Sequence, residues 1–327
     1  MIAPSAERPW LVADIGGTNA RFGLVEAPGA PPSRIEVLSC ADHPGLTEAA
    51  RAYLSRYAGV RPTAGCVAVA AATRGGAFRM TNAHWSGTTA EIRADLGFEH
   101  LELINDFMAL ARALPSLGPA DLRAIGGGTR RPELPVAVLG PGTGMGLAGL
   151  VPVGGGWVPI AAEGGHADLP YETPGEIEVV RLLRAEHGSA HAELVLSGPG
   201  LSRLHRLLAT VHGVAAEPLT AGEICAARTD PLCAEALDMF CALFGSFAGN
   251  AALTLGARGG VFLGGGILPR IAETLEHSDF RRRFEAKSPA VADYLRAIPT
   301  LLIVAPTPAL AGAAAWLGDR LSTLETV

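Results

Sequence analysis

The sequence predicts an α/β protein of two lobes, and three observations carry that prediction. Short apolar runs of strand length alternate with segments of helical periodicity along the whole chain. The order strand, glycine turn containing threonine, strand occurs twice, once from Trp10 and again from Val136. Between the two, residues 118–135 are rich in Gly, Pro and Arg, the composition of a passage between lobes. At 327 residues the chain is also too long for one small core.

In order, residues 10–15 read as a buried strand, Gly16-Gly17-Thr18-Asn19 turns it, and residues 21–25 alternate as the returning strand. A third strand is expected over 35–39. A helix follows whose Leu46, Ala50, Tyr53, Leu54 and Tyr57 share one face and which Gly59 stops. Residues 67–70 form another strand, Met80, Thr81, Asn82 and Trp85 a loop or short strand, and residues 88–96 a helix. Leu101 to Ile104 is a strand, and Phe107, Leu110, Ala111 and Leu114 recur at helical spacing behind it.

The second lobe begins with a strand at 136–139, the turn Gly140-Pro141-Gly142-Thr143-Gly144-Met145-Gly146, a strand at 147–151 and a third at 157–161. The resulting duplication is visible in pattern more than in letters. A polar loop at 162–168 precedes helices at 174–186, 201–208 and 231–255. In the last, Leu237, Phe240, Cys241, Phe244, Phe247, Ala251 and Leu255 mark the core face, with Asp230 and Pro231 suited to its start and Gly256 to its stop. A strand at 261–263 runs into Gly264-Gly265-Gly266 and a helix, and a strand at 301–304 and a helix at 308–317 end the chain.

Composition excludes several classes. Hydrophobic residues are 49% and charged residues 18%, with mean hydropathy +0.28. No stretch reaches the roughly 18 uninterrupted apolar residues of a membrane span, and the first ten residues lack the pattern of a secretion signal. A soluble, cytoplasmic protein is expected. The five cysteines are odd in number and form no C-x-x-C pair, so neither a disulfide framework nor a zinc knuckle is supported. Net charge is −6, and the largest basic cluster is Arg281-Arg282-Arg283, so duplex nucleic acid is not an expected partner.

The residues that can carry chemistry gather at strand ends. Asp106 lies where an apolar strand gives way to a helix, the place at which α/β proteins put their sites. The helix N-terminal dipole favours its ionised form there, and a positioned carboxylate can accept a proton. Asn105 and Asp106 equally suit a plain helix start, and the dipeptide alone favours that reading. The turn Gly16-Gly17-Thr18-Asn19 can bring backbone N–H groups against phosphate, and Asp14 before it is placed to hold a magnesium ion through water. A glycine hairpin beside a solvated aspartate explains one such turn equally well; the matching turn at Gly142 and Thr143 strengthens the phosphate reading.

Other motifs fail on context. Gly144-Met145-Gly146-Leu147-Ala148-Gly149 fits G-x-G-x-x-G, but a dinucleotide fingerprint needs a helix directly after it, and a strand followed by Pro152 and another glycine turn stands there. His187 and His191 have H-x-x-x-H spacing, but Gly188 follows where a zinc protease has glutamate, so exposed helix-end histidines are expected. Glu163 and His166 suit hydrogen bonding to a polyol better than metal ligation. Lys287 is the single lysine of the chain, which excludes a P-loop mechanism.

Taken together, Asp14 to Arg21, Met80-Thr81-Asn82, Ile104-Asn105-Asp106-Phe107, Gly140 to Gly144, Glu163-Gly164-Gly165-His166, Leu196 to Leu201, and Gly259 to Leu263 followed by Gly265-Gly266-Ile267 resemble, in this order, the bacterial ATP-dependent glucokinases of the hexokinase, actin and Hsp70 superfamily. The resemblance implies a two-lobed ribonuclease H-like (actin-like ATPase) fold, each lobe a mixed sheet flanked by helices, with the active site in the interlobe cleft. It implies a small lobe of residues 1–115 with 306–327 and a large lobe of 116–305. It implies that Asp106 is the base for phosphoryl transfer from Mg-ATP to the 6-hydroxyl of glucose, and that Asn82, Asn105, Glu163, His166 and Glu193 bind the sugar. Asp14, Gly16, Gly17, Thr18, Asn19, Gly142 and Thr143 would serve the metal and phosphates, and Gly265 and Gly266 the adenosine. It further implies a homodimer and, since the Cys-rich signature of the related repressor-type sugar kinases is absent, no structural zinc. Two departures bear on the sugar: Ala72-Thr73-Arg74-Gly75-Gly76 replaces the family's Pro-x-x-Gly-Asp loop, and Ala162 replaces a glycine before Glu163. A kinase for mannose, glucosamine or an N-acetylated hexosamine is therefore an alternative expectation, and a non-catalytic sugar sensor a more remote one, since no helix-turn-helix fits ahead of the first strand.

Overall fold

The computed structural model describes residues 3–71, 73, 75–80 and 84–324. The chain divides into two compact units, Met1–Leu117 with Pro306–Val327, and Gly118–Ala305.

In the first unit, β1 (Trp10–Ile15), β2 (Asn19–Val25) and β3 (Ser33–Ser39) form an antiparallel meander, and α1 (Leu46–Leu54) leads to β4 (Ala64–Val69). A small antiparallel pair, β5 (Ala77–Arg79) and β6 (Ser86–Thr88), is followed by α2 (Thr89–Leu96), β7 (His100–Asn105) and α3 (Asp106–Ala113). The sheet order is β3-β2-β1-β4-β7, with β1, β4 and β7 parallel. Strand β1 is apolar apart from Asp14 near its end because both of its faces are covered. Leu11, Ala13 and Ile15 point into a core with Phe22, Tyr53 and Trp85, while Trp10 and Val12 point the other way onto Leu310, Ala313 and Leu317 of the C-terminal helix, Pro308–Leu324. Period-two alternation produces the two faces. Helix α2 starts on a capping box: Glu91 N–H donates to Thr88 Oγ1 at 3.2 Å and Thr88 N–H to Glu91 Oε2 at 3.0 Å.

The second unit repeats the plan. After β8 (Leu122–Gly126), strands β9 (Val136–Pro141), β10 (Met145–Val153) and β11 (Gly156–Ala162) make a second antiparallel meander. Helices α4 (Pro174–His187), α5 (Gly198–His212), α6 (Ala221–Ala226) and α7 (Pro231–Leu255) follow, then β12 (Gly260–Leu263), α8 (Ala272–His277), α9 (Phe280–Glu285), α10 (Ala292–Arg296) and β13 (Thr300–Ile303). The order is β11-β10-β9-β12-β13-β8, so in each unit two parallel strands extend the sheet from the first strand of a meander. Helix α7 is long and apolar enough to cross a membrane, but 72% of its most apolar window is buried inside the protein. Ala236, Leu243 and Ala248 are buried beside the expected stripe, so most of the helix circumference is wrapped by protein.

Local differences from the sequence reading have identifiable causes. Helix α1 ends at Leu54, and Tyr57 lies beyond it with its ring edge-on to Tyr53 and its hydroxyl donating to Glu36 at 2.6 Å. The passage at 118–135 contains β8, a short antiparallel edge strand that Gly and Pro on both sides obscure. Helices α6, α9 and α10 are too short to show a period, and the C-terminal helix continues to Leu324. Arg281, Arg282 and Arg283 are each paired with a carboxylate, Glu285, Asp279 and Glu176 respectively.

Candidate active site

Register fixes the first part of the site. Ile15 of β1 lies beside Val69 of β4, and Val69 beside Asn105 of β7, so three parallel strands end in one row. Asp14 stands at one end of that row and Asp106 at the other, about two strand spacings apart, near 10 Å. Asn105 caps α3: its Oδ1 accepts the Phe107 N–H at 2.9 Å, while its amide donates to the Ala71 carbonyl at 3.4 Å. The same Phe107 N–H also reaches Asp106 Oδ1 at 3.0 Å. The Asn-Asp pair is therefore a helix cap, with the Asp106 carboxyl turned to the same N–H at the strand end.

Electrostatics differ from the sequence expectation. The helix start and the Phe107 N–H do favour the Asp106 anion, yet burial and, next, the charge of Asp14 outweigh them and push its carboxyl up to about 7. The dipole is a surface-strength effect, and desolvation of the buried carboxyl exceeds it. Burial likewise raises Asp14, opposed by Arg21, whose guanidinium donates to Asp14 Oδ2 at 3.3 Å. In the adjoining turn Gly16 N–H donates to the Asn19 carbonyl at 2.9 Å and Cys40 N–H to the Thr18 carbonyl at 2.8 Å. Among the described residues no acceptor takes the N–H of Gly17 or Thr18. A turn held by its carbonyls with two free donors is suited to an anion.

The second unit assembles the other candidates around Met145. The turn between β9 and β10 closes with Gly142 N–H on the Gly144 carbonyl, and Gly198 N–H donates to the Gly142 carbonyl, both at 2.8 Å. Glu193 Oε2 accepts the Met145 N–H at 2.9 Å and lies so close to Gly144 that a Cβ there would collide with it. The Glu163 loop folds onto the same residue, since a Cβ at Gly165 would strike the Met145 carbonyl. Exposed His166 meets the ring of His191 at 5.1 Å between centroids. Gly265, with φ +86°, turns the chain after β12 against the carbonyl of Pro141, a conformation that favours glycine.

Folding thus brings Asp14, Gly16 to Asn19, Asn105 and Asp106 to one sheet edge of the first unit, and Gly142, Thr143, Glu163, His166 and Glu193 to one neighbourhood of the second, with Gly265 and Gly266 at the neighbouring strand end. Asn82, Thr81, Ala72 and Arg74 lie outside the described residues. His187 ends α4 as expected, with Gly188 in the left-handed conformation at φ 73°. His191 departs from expectation: it is partly buried against His166, with Nδ1 3.4 Å from the Gly165 carbonyl. Its spacing from His187 pointed away from this role. Arg21, two positions past the turn, is a further residue of this site; the signal for it is that it stands directly opposite Asp14 in the β1–β2 pair.

Comparison with known proteins bears on the family and the fold. A family model described as Glucokinase matches residues 11–320. The chain is similar to the glucokinase of Aromatoleum aromaticum, 46% identical over 318 residues and covering 96% of both chains. Among solved structures it resembles a glucokinase from an Antarctic psychrotroph, with TM-score 0.84, 37% identity, and 95% of this chain and 99% of that chain covered. A ROK family glucokinase from Streptomyces griseus, solved in complex with glucose and AMPPNP, shares the fold at TM-score 0.64 and 17% identity, over 95% of this chain and 99% of that one. These neighbours have the two-lobed actin-like ATPase fold, and both units of this chain carry its mixed sheet and flanking helices.

Proposed function

This chain belongs to the glucokinase family and is an ATP-dependent glucose kinase, and from that premise we infer that Asp106 is its general base. The observation that supports this most is the carboxyl of Asp106 itself, aimed from a strand end and poised near neutrality by burial and by Asp14. A base with a pKa near the working pH accepts a proton readily and releases it again. In the proposed reaction the 6-hydroxyl oxygen of glucose attacks the γ-phosphorus of ATP in line. Asp106 takes the hydroxyl proton, the bond from phosphorus to the bridging oxygen breaks, and ADP leaves with that electron pair.

Asn82, Asn105, Glu163, His166 and Glu193 are proposed to bind the ring hydroxyls. Carboxylates accept from neighbouring hydroxyls, and the remaining amide proton of Asn105 can donate. The free N–H groups of Gly17 and Thr18, and that of Thr143 in the turn that Gly142 closes onto Gly144, suit the phosphates, with Gly16 and Asn19 shaping the first turn and Gly265 and Gly266 lying at the adenosine. Asp14 fits a magnesium ion: one oxygen is engaged by Arg21, the other is uncommitted, and a sheltered carboxylate profits from a cation held through water. Magnesium, when bound, neutralises charge on the β- and γ-phosphates. A homodimer in the cytoplasm is the proposed form.

The test is ADP release from magnesium ATP with glucose, mannose, fructose, glucosamine and N-acetylglucosamine in parallel. Turnover is expected to be fastest with glucose. Faster turnover of another hexose would move the specificity, and the loop at Ala72 to Gly76 would be the place to look. No turnover of any sugar, with glucose still bound, would contradict the kinase reading.

A further inference from the structure

Away from these residues, α5 packs on α7 in the second unit, and their contact holds a group that the sugar kinase reaction does not use. His205 lies on the inner face of α5 among Leu201, Leu204 and Leu208, only 4% exposed. Among the described residues no protein group hydrogen-bonds its ring, and Asp230 is the charged group beside it. Asp230 caps α7 through Oδ1, which accepts the Cys233 N–H at 2.9 Å, and its carboxylate also accepts from the Cys233 thiol. Cys233 is 1% exposed. The ring nitrogen, the carboxylate oxygen and the thiol sulfur all lie within 4.8 Å of one another, and among the described residues they are the one such group of three.

We propose that His205, Asp230 and Cys233 bind one zinc ion that clips α5 to α7. The donor set is nitrogen, oxygen and sulfur, which zinc accepts together, and three protein ligands leave the fourth tetrahedral position to water on the exposed side of Asp230. Ligand separations in a tetrahedral site are roughly 3–4 Å, so side-chain rotation alone brings the three atoms to the ion. Coordination converts the thiol to a thiolate, so each zinc bound releases one proton. The imidazole, which faces Asp230 without a hydrogen bond, gains a direct bond to the ion. Helix α5 begins at Gly198, which donates to Gly142, so the clip would hold the helix that backs the second glycine turn.

The experiment titrates the full chain with cobalt as a coloured surrogate, then with zinc against a chromophoric chelator. The expected result is one ion per chain, a thiolate-to-cobalt charge-transfer band with tetrahedral visible absorption, and displacement of cobalt by zinc. Cys233→Ser should remove the charge-transfer band and weaken zinc at least tenfold. Asp230→Asn is the variant that keeps the fold, because asparagine caps a helix as well as aspartate, and it should also weaken zinc at least tenfold. His212→Ala, which disturbs only the exposed pair of His212 with Glu235 on the same two helices, should leave binding unchanged. Absence of the charge-transfer band, or equal zinc affinity in the parent and Asp230→Asn, would overturn the proposal. Loss of binding in His212→Ala would do so too, by moving the ion to the surface.

Discussion

The charge on Asp14 raises the carboxyl of Asp106, second in strength only to burial, although a whole strand separates the two. Their coupling follows from register: β1 and β7 both run parallel to β4 and end in the same row. Two carboxylates with different surroundings take different roles, and here Arg21 opposes the burial of Asp14 while Asp106 has no cation among its influences.

That coupling sets a pH profile. With Asp106 as base and its carboxyl at about 7, kcat/KM for glucose should rise with pH through neutrality and level off above it. Asp14→Asn removes the like charge, so the Asp106 anion becomes easier to form and the acid limb should move down by about one pH unit, whatever the loss in kcat. A pH–rate series on both proteins checks this, and an unmoved limb would rule out the coupling.

Stability should respond in the opposite sense to activity. The Asp106 carboxyl is raised to about 7 from 3.8, so between those values the folded protein holds a proton that the unfolded chain has lost. Its contribution is intact below the lower value and is lost as pH rises through about 7. Asp106→Asn has no charge to desolvate. At about pH 8 it should be more stable than the parent by roughly 1–3 kcal/mol, and at about pH 4 nearly equal. Urea unfolding at the two pH values measures the difference, which should vanish on acidification.

Glu193 is held against the second glycine turn. Gly144→Ala puts a methyl where its carboxylate lies and forces that side chain out. The Met145 N–H then loses its acceptor at 2.9 Å, a penalty of about 1–3 kcal/mol if the group stays buried. With Glu193 a sugar ligand, KM for glucose should rise by about tenfold or more, with ATP less affected. Unchanged glucose affinity in a folded Gly144→Ala protein would detach Glu193 from the sugar.

Much of this was legible in the residues. Buried strands such as β1 announce themselves because both faces need apolar side chains, and α7 could be delimited to the residue because Asp230, Pro231 and Gly256 each have a local reason to stand where they do. Asp106 could be located at a strand end from its neighbours alone. Its protonation could not, because burial and a charge two strands away are products of the folded sheet. His191 was read from its spacing to His187, whereas its partner, His166, comes from a loop that only the fold brings near. The same limit hid His205, whose companions Asp230 and Cys233 lie on another helix. Spacing rules see ligands within one element and are blind to those assembled from two.

The most direct measurement is kcat for glucose with saturating magnesium ATP in the parent and in Asp106→Asn, alongside glucose binding by each. Loss of kcat by about 10²–10⁴-fold with glucose still bound is the result expected of a general base. An Asp106→Asn enzyme that retains turnover within a few-fold of the parent would contradict that assignment and leave Asp106 as a helix-start residue beside a base found elsewhere.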